Sequence, residues 1–309
     1  MVTGGGKIKF EPFTEDTVIE EVIHDPAFGD FGRLLFPVNF SLPGSLTLRE
    51  VSSSRVYLWY SNIFTEKTLD ILNQLKAWSL EGRRIFFPIY TEKEMGKNPA
   101  KRDTGLFFFP GEPGREFGIM NAGGAFYYVG AMQDSFPHAL EVSRSGCNGF
   151  ALIYRPDEPY EDLARAIAFI HDHADELQVK AAGYSLWGGS AGARMAAVLG
   201  NRNYLRALTG RKDIPQAAAV IMQYTGYSAV SEKDAPVYAC VGSRDGIANW
   251  RVMERRLKML NAMGIPTEFH VYEGLGHGFG LGTGTRAEGW IKDAEAFWKN
   301  QIMAGAGRK

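Results

Sequence analysis

A serine bracketed by glycines is the strongest chemical signal in this sequence. Residues 188–192 read Gly-Gly-Ser-Ala-Gly, a G-x-S-x-G pattern centred on Ser190. An apolar run precedes it and an alanine-rich, helix-forming run follows it. In such a strand–helix turn, glycines two positions away permit a tight bend that holds the serine hydroxyl above the end of a sheet. The pattern therefore predicts that Ser190 is a nucleophile with a helix N-terminus beside it.

A serine hydroxyl needs a base to take its proton, and two later stretches supply candidates. Asp245 follows the apolar run Val237–Val241, and His277 lies between glycines after the run Thr267–Tyr272. The chain order Ser, Asp, His is the one expected when the three residues lie at strand ends of a parallel α/β sheet. We expect His277 to be the base and Asp245 the acid that orients it. Glu273 is the alternative acid.

A glycine-rich loop offers backbone donors for a negatively charged oxygen. The segment Asn121–Phe126 (NAGGAF) follows an apolar run. Its N–H groups are expected to oppose the N–H of Ala191, the residue after the serine. We predict that Gly123, Gly124 and Ala191 form an oxyanion hole.

Four aromatic residues near these loops are candidates to line a substrate pocket, and core packing explains each equally well. They are Tyr127, Tyr128, Tyr224 and Phe279. A metal site is not predicted, because His171 and His173 are two positions apart and cannot share one helix face. We expect no cofactor.

The elements that must position these residues alternate along the chain. Eight apolar runs are predicted strands, namely Arg84–Tyr90, Thr104–Phe109, Glu116–Asn121, Cys147–Tyr154, Gly183–Trp187, Ala217–Met222, Val237–Val241 and Thr267–Tyr272. Helical spacing is found in Thr65–Leu80, Tyr160–Leu177, Val252–Leu260 and a last helix expected to begin with a capping box of Thr285 and Glu288. This alternation predicts an α/β fold with a mostly parallel central sheet, helices on both faces and a site beyond the carboxyl ends of the strands.

The first 83 residues follow a different pattern. Short apolar or alternating runs broken by Gly and Pro predict strand-rich, irregular structure up to about residue 62, in Lys7–Phe13, Thr17–His24, Arg33–Phe40 and Ser45–Val51. No chemistry is recognisable in this part. We divide the chain into an N-terminal extension, residues 1–83, and a catalytic domain, residues 84–309.

Composition excludes several classes of partner. The chain has 309 residues, 45% hydrophobic and 22% charged, with a net charge of −1, so neither a nucleic-acid-binding nor a membrane-binding surface is indicated. The N-terminus has no signal-peptide core and no apolar stretch could span a bilayer, which predicts a cytoplasmic protein. Cys147 and Cys240 are expected to be reduced and packed in strands. Homo-oligomer formation is left open.

From about Arg84 to Trp298 the sequence resembles the α/β-hydrolases, and among them the acetyl-esterase and hormone-sensitive-lipase-like carboxylesterases. The resemblance is carried by GGSAG, NAGGAF, SRDGIA around Asp245 and GLGHGFG around His277. Ala122 stands where that family has the histidine of its HGGG loop, and Ala125 stands at its last glycine. The resemblance implies a serine carboxylesterase that cleaves small-molecule esters with short acyl groups, acetyl above all, acetylated sugars among them. A cap over the site would have to come from residues 1–83.

Other activities use the same three residues. Peptide or amide cleavage and lactone hydrolysis are both open to this fold. A non-catalytic ligand-binding protein on the same scaffold is a third alternative, disfavoured because all three residues are present.

Overall fold

The computed structural model describes residues 10–306, and within them eight strands form one sheet. In chain order these are β1 (Phe86–Phe87), β2 (Gly105–Phe109), β3 (Glu116–Asn121), β4 (Asn148–Ile153), β5 (Lys180–Gly189), β6 (Ala219–Gln223), β7 (Val237–Gly242) and β8 (Thr267–Tyr272). Their order across the sheet is β1-β2-β4-β3-β5-β6-β7-β8. Strand β2 is antiparallel to β1 and β4, and the pairs from β4 to β8 are all parallel.

Helices surround the sheet. They are α1 (Ile19–Ile23), α2 (Leu48–Val51), α3 (Thr65–Leu80), α4 (Glu92–Lys97), α5 (Ala131–Asp134), α6 (Phe136–Arg144), α7 (Pro159–Asp172), α8 (Ala191–Gly200), α9 (Arg202–Thr209), α10 (Trp250–Ala262) and α11 (Trp290–Ala306). Two 3₁₀ segments, Gly29–Leu35 and Pro99–Asp103, complete the set in the described residues. No helix in this part of the chain is long and apolar enough to cross a membrane.

Strand β5 shows how both faces of the sheet are covered. The ring of Trp187 packs against Trp290 and Trp298 of α11. The next residue, Gly188, packs against Gly192 of α8. Successive residues of a strand point to opposite faces, so α11 and α8 cover opposite sides. The predicted α/β class with a mostly parallel sheet is confirmed.

The predicted elements of residues 84–306 are present with shifted ends. The first strand was predicted over the seven residues Arg84–Tyr90 and comprises only Phe86–Phe87. Helix α7 ends at Asp172, five residues before the predicted end at Leu177. The capping box expected for the last helix is wrong, because that helix begins at Trp290. Instead, the Thr285 hydroxyl donates to Gly282 O and the Glu288 carboxylate accepts from Gly284 N–H, so the pair closes a turn.

The strand-rich prediction for the N-terminal region is also wrong. In the described residues 10–62 only an isolated bridge, Val18 with Thr47, has strand pairing, and the rest is short helices and turns. Helix α1 buries Ile19 and Val22, which lie three positions apart, and Thr47 with Glu50 forms a capping box for α2. Local capping and burial on one side therefore overrode the short alternating patterns. Residues 7–9 of the first predicted run lie outside the described residues.

Residues 10–83 and the rest of the described chain share one continuous hydrophobic core. The division into an extension and a catalytic domain stays a prediction. Both cysteines are buried free thiols.

A buried ion pair fixes the segment after β4 beside the glycine-rich loop. The guanidinium of Arg155 donates to the Asp162 carboxylate at 2.6 Å, and Tyr90 OH donates to the same carboxylate at 2.7 Å. The Asp162 side chain is fully buried and that of Arg155 is 8% exposed. The neighbouring Tyr154 hydroxyl donates to Ala122 O at 2.7 Å, so this ion pair supports the loop at its base.

We expect Asp162→Asn to lower the free energy of unfolding by about 3 kcal/mol, because it leaves the buried Arg155 charge with only the half-exposed Glu161 carboxylate, 3.5 Å away, as an ionic partner. Urea unfolding of the purified protein measures the change. Asp172→Asn is the matched control, since that carboxylate is 50% exposed and its loss should cost less than about 1 kcal/mol. Equal effects of the two substitutions would contradict the assigned role of the buried pair.

Candidate active site

Ser190 occupies a strained turn between β5 and α8. Its backbone has φ 52° and ψ −115°, a conformation that costs a non-glycine residue on the order of 1–3 kcal/mol. A Cβ at Gly192 would lie 1.9 Å from Asn121 O, and one at Gly188 would lie 2.2 Å from the Gly192 carbonyl carbon. The flanking glycines are therefore required by close backbone contacts. Ser190 N–H donates to Gln223 O at 3.0 Å and anchors the turn to β6.

The structure brings Ser190, His277 and Asp245 into one chain of hydrogen bonds. His277 Nε2 lies 3.0 Å from Ser190 Oγ, and His277 Nδ1 lies 2.8 Å from Asp245 Oδ2. The His277 side chain is 8% exposed and the Asp245 side chain is fully buried. The imidazole can thus accept the serine proton at one nitrogen while the carboxylate holds the other.

The loops that carry Asp245 and His277 are joined by backbone hydrogen bonds. Arg244 N–H donates to Leu275 O at 2.9 Å, and Ser243 N–H donates to Tyr272 O at 2.9 Å. The second oxygen of Asp245, Oδ1, accepts from the N–H groups of the two residues at positions 247 and 248, at 2.8 and 2.7 Å. The alternative acid, Glu273, is exposed and lies outside this chain of hydrogen bonds.

One of the backbone N–H groups predicted to bind an oxyanion in the glycine-rich loop already has a hydrogen-bond partner. Gly123 N–H donates to Asp134 Oδ2 at 2.8 Å, so it is not free to bind an oxyanion. Among the described residues, no acceptor is found for the N–H groups of Gly124, Ala125 or Ala191. Gly124 and Ala125 both border the cavity above Ser190. Of the three predicted donors, Gly123 therefore has an occupied N–H, and the roles of Gly124 and Ala191 stay predictions.

Asp134, which the sequence analysis missed, lies beneath this loop. It ends α5, is 2% exposed, and also accepts hydrogen bonds from Tyr60 OH and Tyr224 OH. Burial raises the pKa of its carboxyl to about 6, and the hydrogen bonds and the nearby His277 oppose that rise. No pattern in the sequence marked it, because its donors come from distant positions.

A segment of the N-terminal region, Tyr57–Asn62, lies across the site. Ser61 N–H donates to Gly278 O and Ser61 Oγ donates to His277 O, both at 2.9 Å. Trp59 has a left-handed φ of 69°, which the segment adopts where it packs against Gly278. These contacts fix the backbone of the histidine loop.

A cavity of about 280 Å³ opens above the serine. It is lined by Trp59, Tyr60, Gly124, Ala125, Ser190, Ile247 and His277. This lining contains no Asp, Glu, Lys or Arg side chain.

None of the four aromatic residues predicted for the pocket belongs to that lining. Tyr128, Tyr224 and Phe279 are fully or almost fully buried, so they lie in the core and not in the cavity lining. Tyr128 OH donates to Leu58 O, and the Tyr224 ring packs against the rings of both His277 and Phe279. Tyr127 is 59% exposed and its ring lies parallel to that of Phe40. Core packing explains the three buried residues.

The other histidines lie apart from this chain of hydrogen bonds. His138 is buried, and its Nε2 lies 2.9 Å from Gln223 Oε1. Burial lowers its pKa to about 4. His171 is half-buried against Phe117 and Tyr184. Within residues 10–306 no group of three or more His, Cys, Asp or Glu side chains is arranged to hold a metal ion.

Comparison with known proteins shows a common fold at low sequence identity. No family model matches the sequence, and no curated protein sequence matches it significantly. An acetyl ester-xyloside bifunctional hydrolase from Caldicellulosiruptor lactoaceticus superposes with a TM-score of 0.59 and 18% identity, covering 70% of this chain and 95% of its own. A thermophilic esterase from Thermogutta terrifontis gives 0.58 and 18%, covering 70% and 93%.

A third similar structure belongs to an enzyme described as an α/β-hydrolase. It is an α/β-hydrolase enzyme from a deep-sea metagenome library, with a TM-score of 0.52 and 18% identity, covering 64% of this chain and 93% of its own.

We expect Asp245→Asn to slow phosphonylation of Ser190 by a fluorophosphonate probe by about 10³-fold, because an amide cannot stabilise the imidazolium that forms as the serine proton leaves. Glu273→Gln is the matched control and should stay within about twofold of the wild-type rate. Mass spectrometry of the labelled protein over time gives both rates. If Glu273→Gln were the slow variant, the acid would be Glu273.

Proposed function

We propose that this α/β-hydrolase-fold chain is a serine carboxylesterase acting on small neutral esters with short acyl groups. The observation that carries the proposal is the hydrogen-bonded chain from Ser190 through His277 to Asp245, beside a cavity bordered by free N–H groups. Support also comes from the activities of two similar structures, an acetyl ester-xyloside bifunctional hydrolase and an esterase.

The proposed reaction begins when His277 Nε2 accepts the Ser190 proton and Oγ attacks the ester carbonyl carbon. The C=O π electrons move to the oxygen, which becomes an oxyanion. When the tetrahedral intermediate collapses, the C–O bond to the alcohol breaks and the alcohol leaves with the proton from His277. His277 then takes a proton from water, which attacks the acyl carbon. When this second intermediate collapses, the bond from the acyl carbon to Ser190 Oγ breaks, Oγ takes the proton from His277, and the acid is released.

The N–H groups of Gly124, Ala125 and Ala191 are the proposed donors to the oxyanion. Ala191 also begins a ten-residue helix, whose N-terminal dipole favours negative charge at this position. One such donor is typically worth about 2.7–4 kcal/mol of the barrier. Gly123 is excluded because Asp134 occupies its N–H.

The cavity limits the size and charge of the proposed substrate. About 280 Å³ is at the lower end for small-molecule sites. Trp59 and Ile247 supply apolar surface, and with no Asp, Glu, Lys or Arg in the lining a charged group on the substrate would lose solvation without gaining a partner. This favours neutral alkyl or aryl esters. Acetylated sugars are a second candidate, supported by the xyloside-active structure of the same fold.

We expect p-nitrophenyl acetate to be hydrolysed with a higher kcat/KM than an aminoacyl p-nitroanilide, and Ser190→Ala to abolish the reaction. A preference for the anilide would contradict the esterase assignment. A folded wild-type protein whose Ser190 resists a fluorophosphonate probe would instead indicate a ligand-binding protein. Comparison of phenyl acetate with acetylated xylose as substrates distinguishes the two candidate alcohols.

We also expect Trp59→Ala to raise kcat/KM for p-nitrophenyl butyrate relative to the acetate by about fivefold or more, because it removes a large ring from the cavity wall. Tyr204→Ala is the matched control, an exposed aromatic residue on α9 outside the lining. Parallel assays of both esters measure the ratio. An unchanged ratio in Trp59→Ala would show that this ring does not limit acyl length.

A further inference from the structure

The Asp134 carboxylate is buried without a cationic partner. It is 2% exposed, and no ion pair with a Lys or Arg is found for it within residues 10–306. Isolated buried charges are costly and are normally paired or heavily hydrogen-bonded. Three donors compensate here, which are Gly123 N–H at 2.8 Å, Tyr60 OH at 3.0 Å and Tyr224 OH at 2.5 Å.

Each donor belongs to a different part of the candidate site. Gly123 directly precedes the proposed oxyanion donor Gly124. Tyr60 lines the cavity and precedes Ser61, whose hydrogen bonds hold the histidine loop. The Tyr224 ring packs against the His277 imidazole, with 4.9 Å between ring centroids. One carboxylate therefore connects the oxyanion loop, the N-terminal segment and the base.

The carboxylate also lies against the backbone that carries the nucleophile. A Cβ on Gly189, the residue before Ser190, would be 2.2 Å from Asp134 Oδ2 and 2.4 Å from Oδ1. No larger residue fits at position 189. This contact places a negative charge directly beneath the serine turn and close to the imidazole.

We propose that ionised Asp134 is a positioning residue for ester hydrolysis, holding the oxyanion loop through Gly123 and the His277 ring through Tyr224. Its charge also favours the imidazolium that forms when Ser190 is deprotonated, alongside the charge of Asp245. The inference rests on the proposed esterase activity.

Ionisation of Asp134 costs folded-state stability at neutral pH. Burial raises the pKa of its carboxyl from 3.8 to about 6, so the stability that the protonated form contributes is present below pH 3.8 and lost as pH rises through about 6. Functional sites commonly contain buried ionised groups that lower the stability of the folded protein. The titratable groups that face this carboxylate are Tyr60, Tyr128, Tyr154, Tyr224, Cys240, His138 and His277.

Most of those groups do not change charge in the working range of pH. Burial raises the pKa of the four tyrosines and of the Cys240 thiol. Burial lowers the pKa of His138 to about 4. Loss of activity toward acid can thus report two events, protonation of Asp134 and protonation of the base.

Asp134→Asn tests the charge while keeping the shape. Its oxygen can accept from Gly123 N–H and Tyr60 OH, and its amide can donate to Tyr224. With p-nitrophenyl acetate at pH 8 we expect kcat to fall about tenfold or more, KM to change less than about threefold, and Tm to stay equal or rise. Tyr60→Phe, which keeps the charge and removes one donor, should reduce kcat less.

The pH profile gives a second reading that needs no variant. In the wild type, log kcat should fall with a slope steeper than one near pH 6, because protonation of Asp134 removes about tenfold of kcat beyond the loss that protonation of the base causes. In Asp134→Asn the slope should be about one. If the variant does not fold, the wild-type slope alone decides.

Three results would overturn the inference. They are a kcat of Asp134→Asn within about twofold of wild type, a kcat loss accompanied by a Tm drop of more than about 5 °C, or a wild-type slope of one. A wild type that does not turn over the ester would instead overturn the proposed function. The two failures are therefore distinguishable.

Discussion

The close approach of helix α8 to strand β3 sets the geometry of the whole site. Gly192 lies so near Asn121 O that a single methyl group would overlap it, and Gly188 is packed equally tightly on the other side of the serine. Between these two contacts Ser190 has a positive φ of 52°, and helix α8 begins at the next residue, Ala191. The strain at the serine is sustained by packing energy elsewhere in the sheet.

Buried carboxylates supply the charge of the site, and none of them is neutralised by Lys or Arg within the described residues. Asp245 is held by two backbone N–H groups and the imidazole. Asp134 is held by one N–H and two tyrosine hydroxyls. Hydrogen-bond donors compensate part of the desolvation without cancelling the field at His277, so negative charge remains available where an imidazolium forms.

The N-terminal region is part of the same structure. Its segment Tyr57–Asn62 contributes two cavity residues, Trp59 and Tyr60, and hydrogen-bonds to both residues 277 and 278. Helix α3 follows it directly and packs against α5 and α6, next to the glycine-rich loop. A cap function of this region stays a prediction, and its contacts make the segment part of the cavity wall.

Local signals in the chain were enough to predict the alternating strands, the mostly parallel sheet, and the positions of Ser190, His277, Asp245 and the glycine-rich loop. Strand and turn patterns depend on neighbours along the chain, and parallel strands bring their carboxyl ends to one edge whatever their spacing. The helical N-terminal region, the hydrogen bond that occupies the Gly123 N–H, and the positions of Asp134, Tyr60, Trp59 and Ile247 at the site emerged only from the tertiary structure. Each of these depends on contacts between residues far apart in the chain, such as the 74 positions that separate Tyr60 from Asp134. No local pattern encodes such a contact, because its energy exists only after the elements have packed.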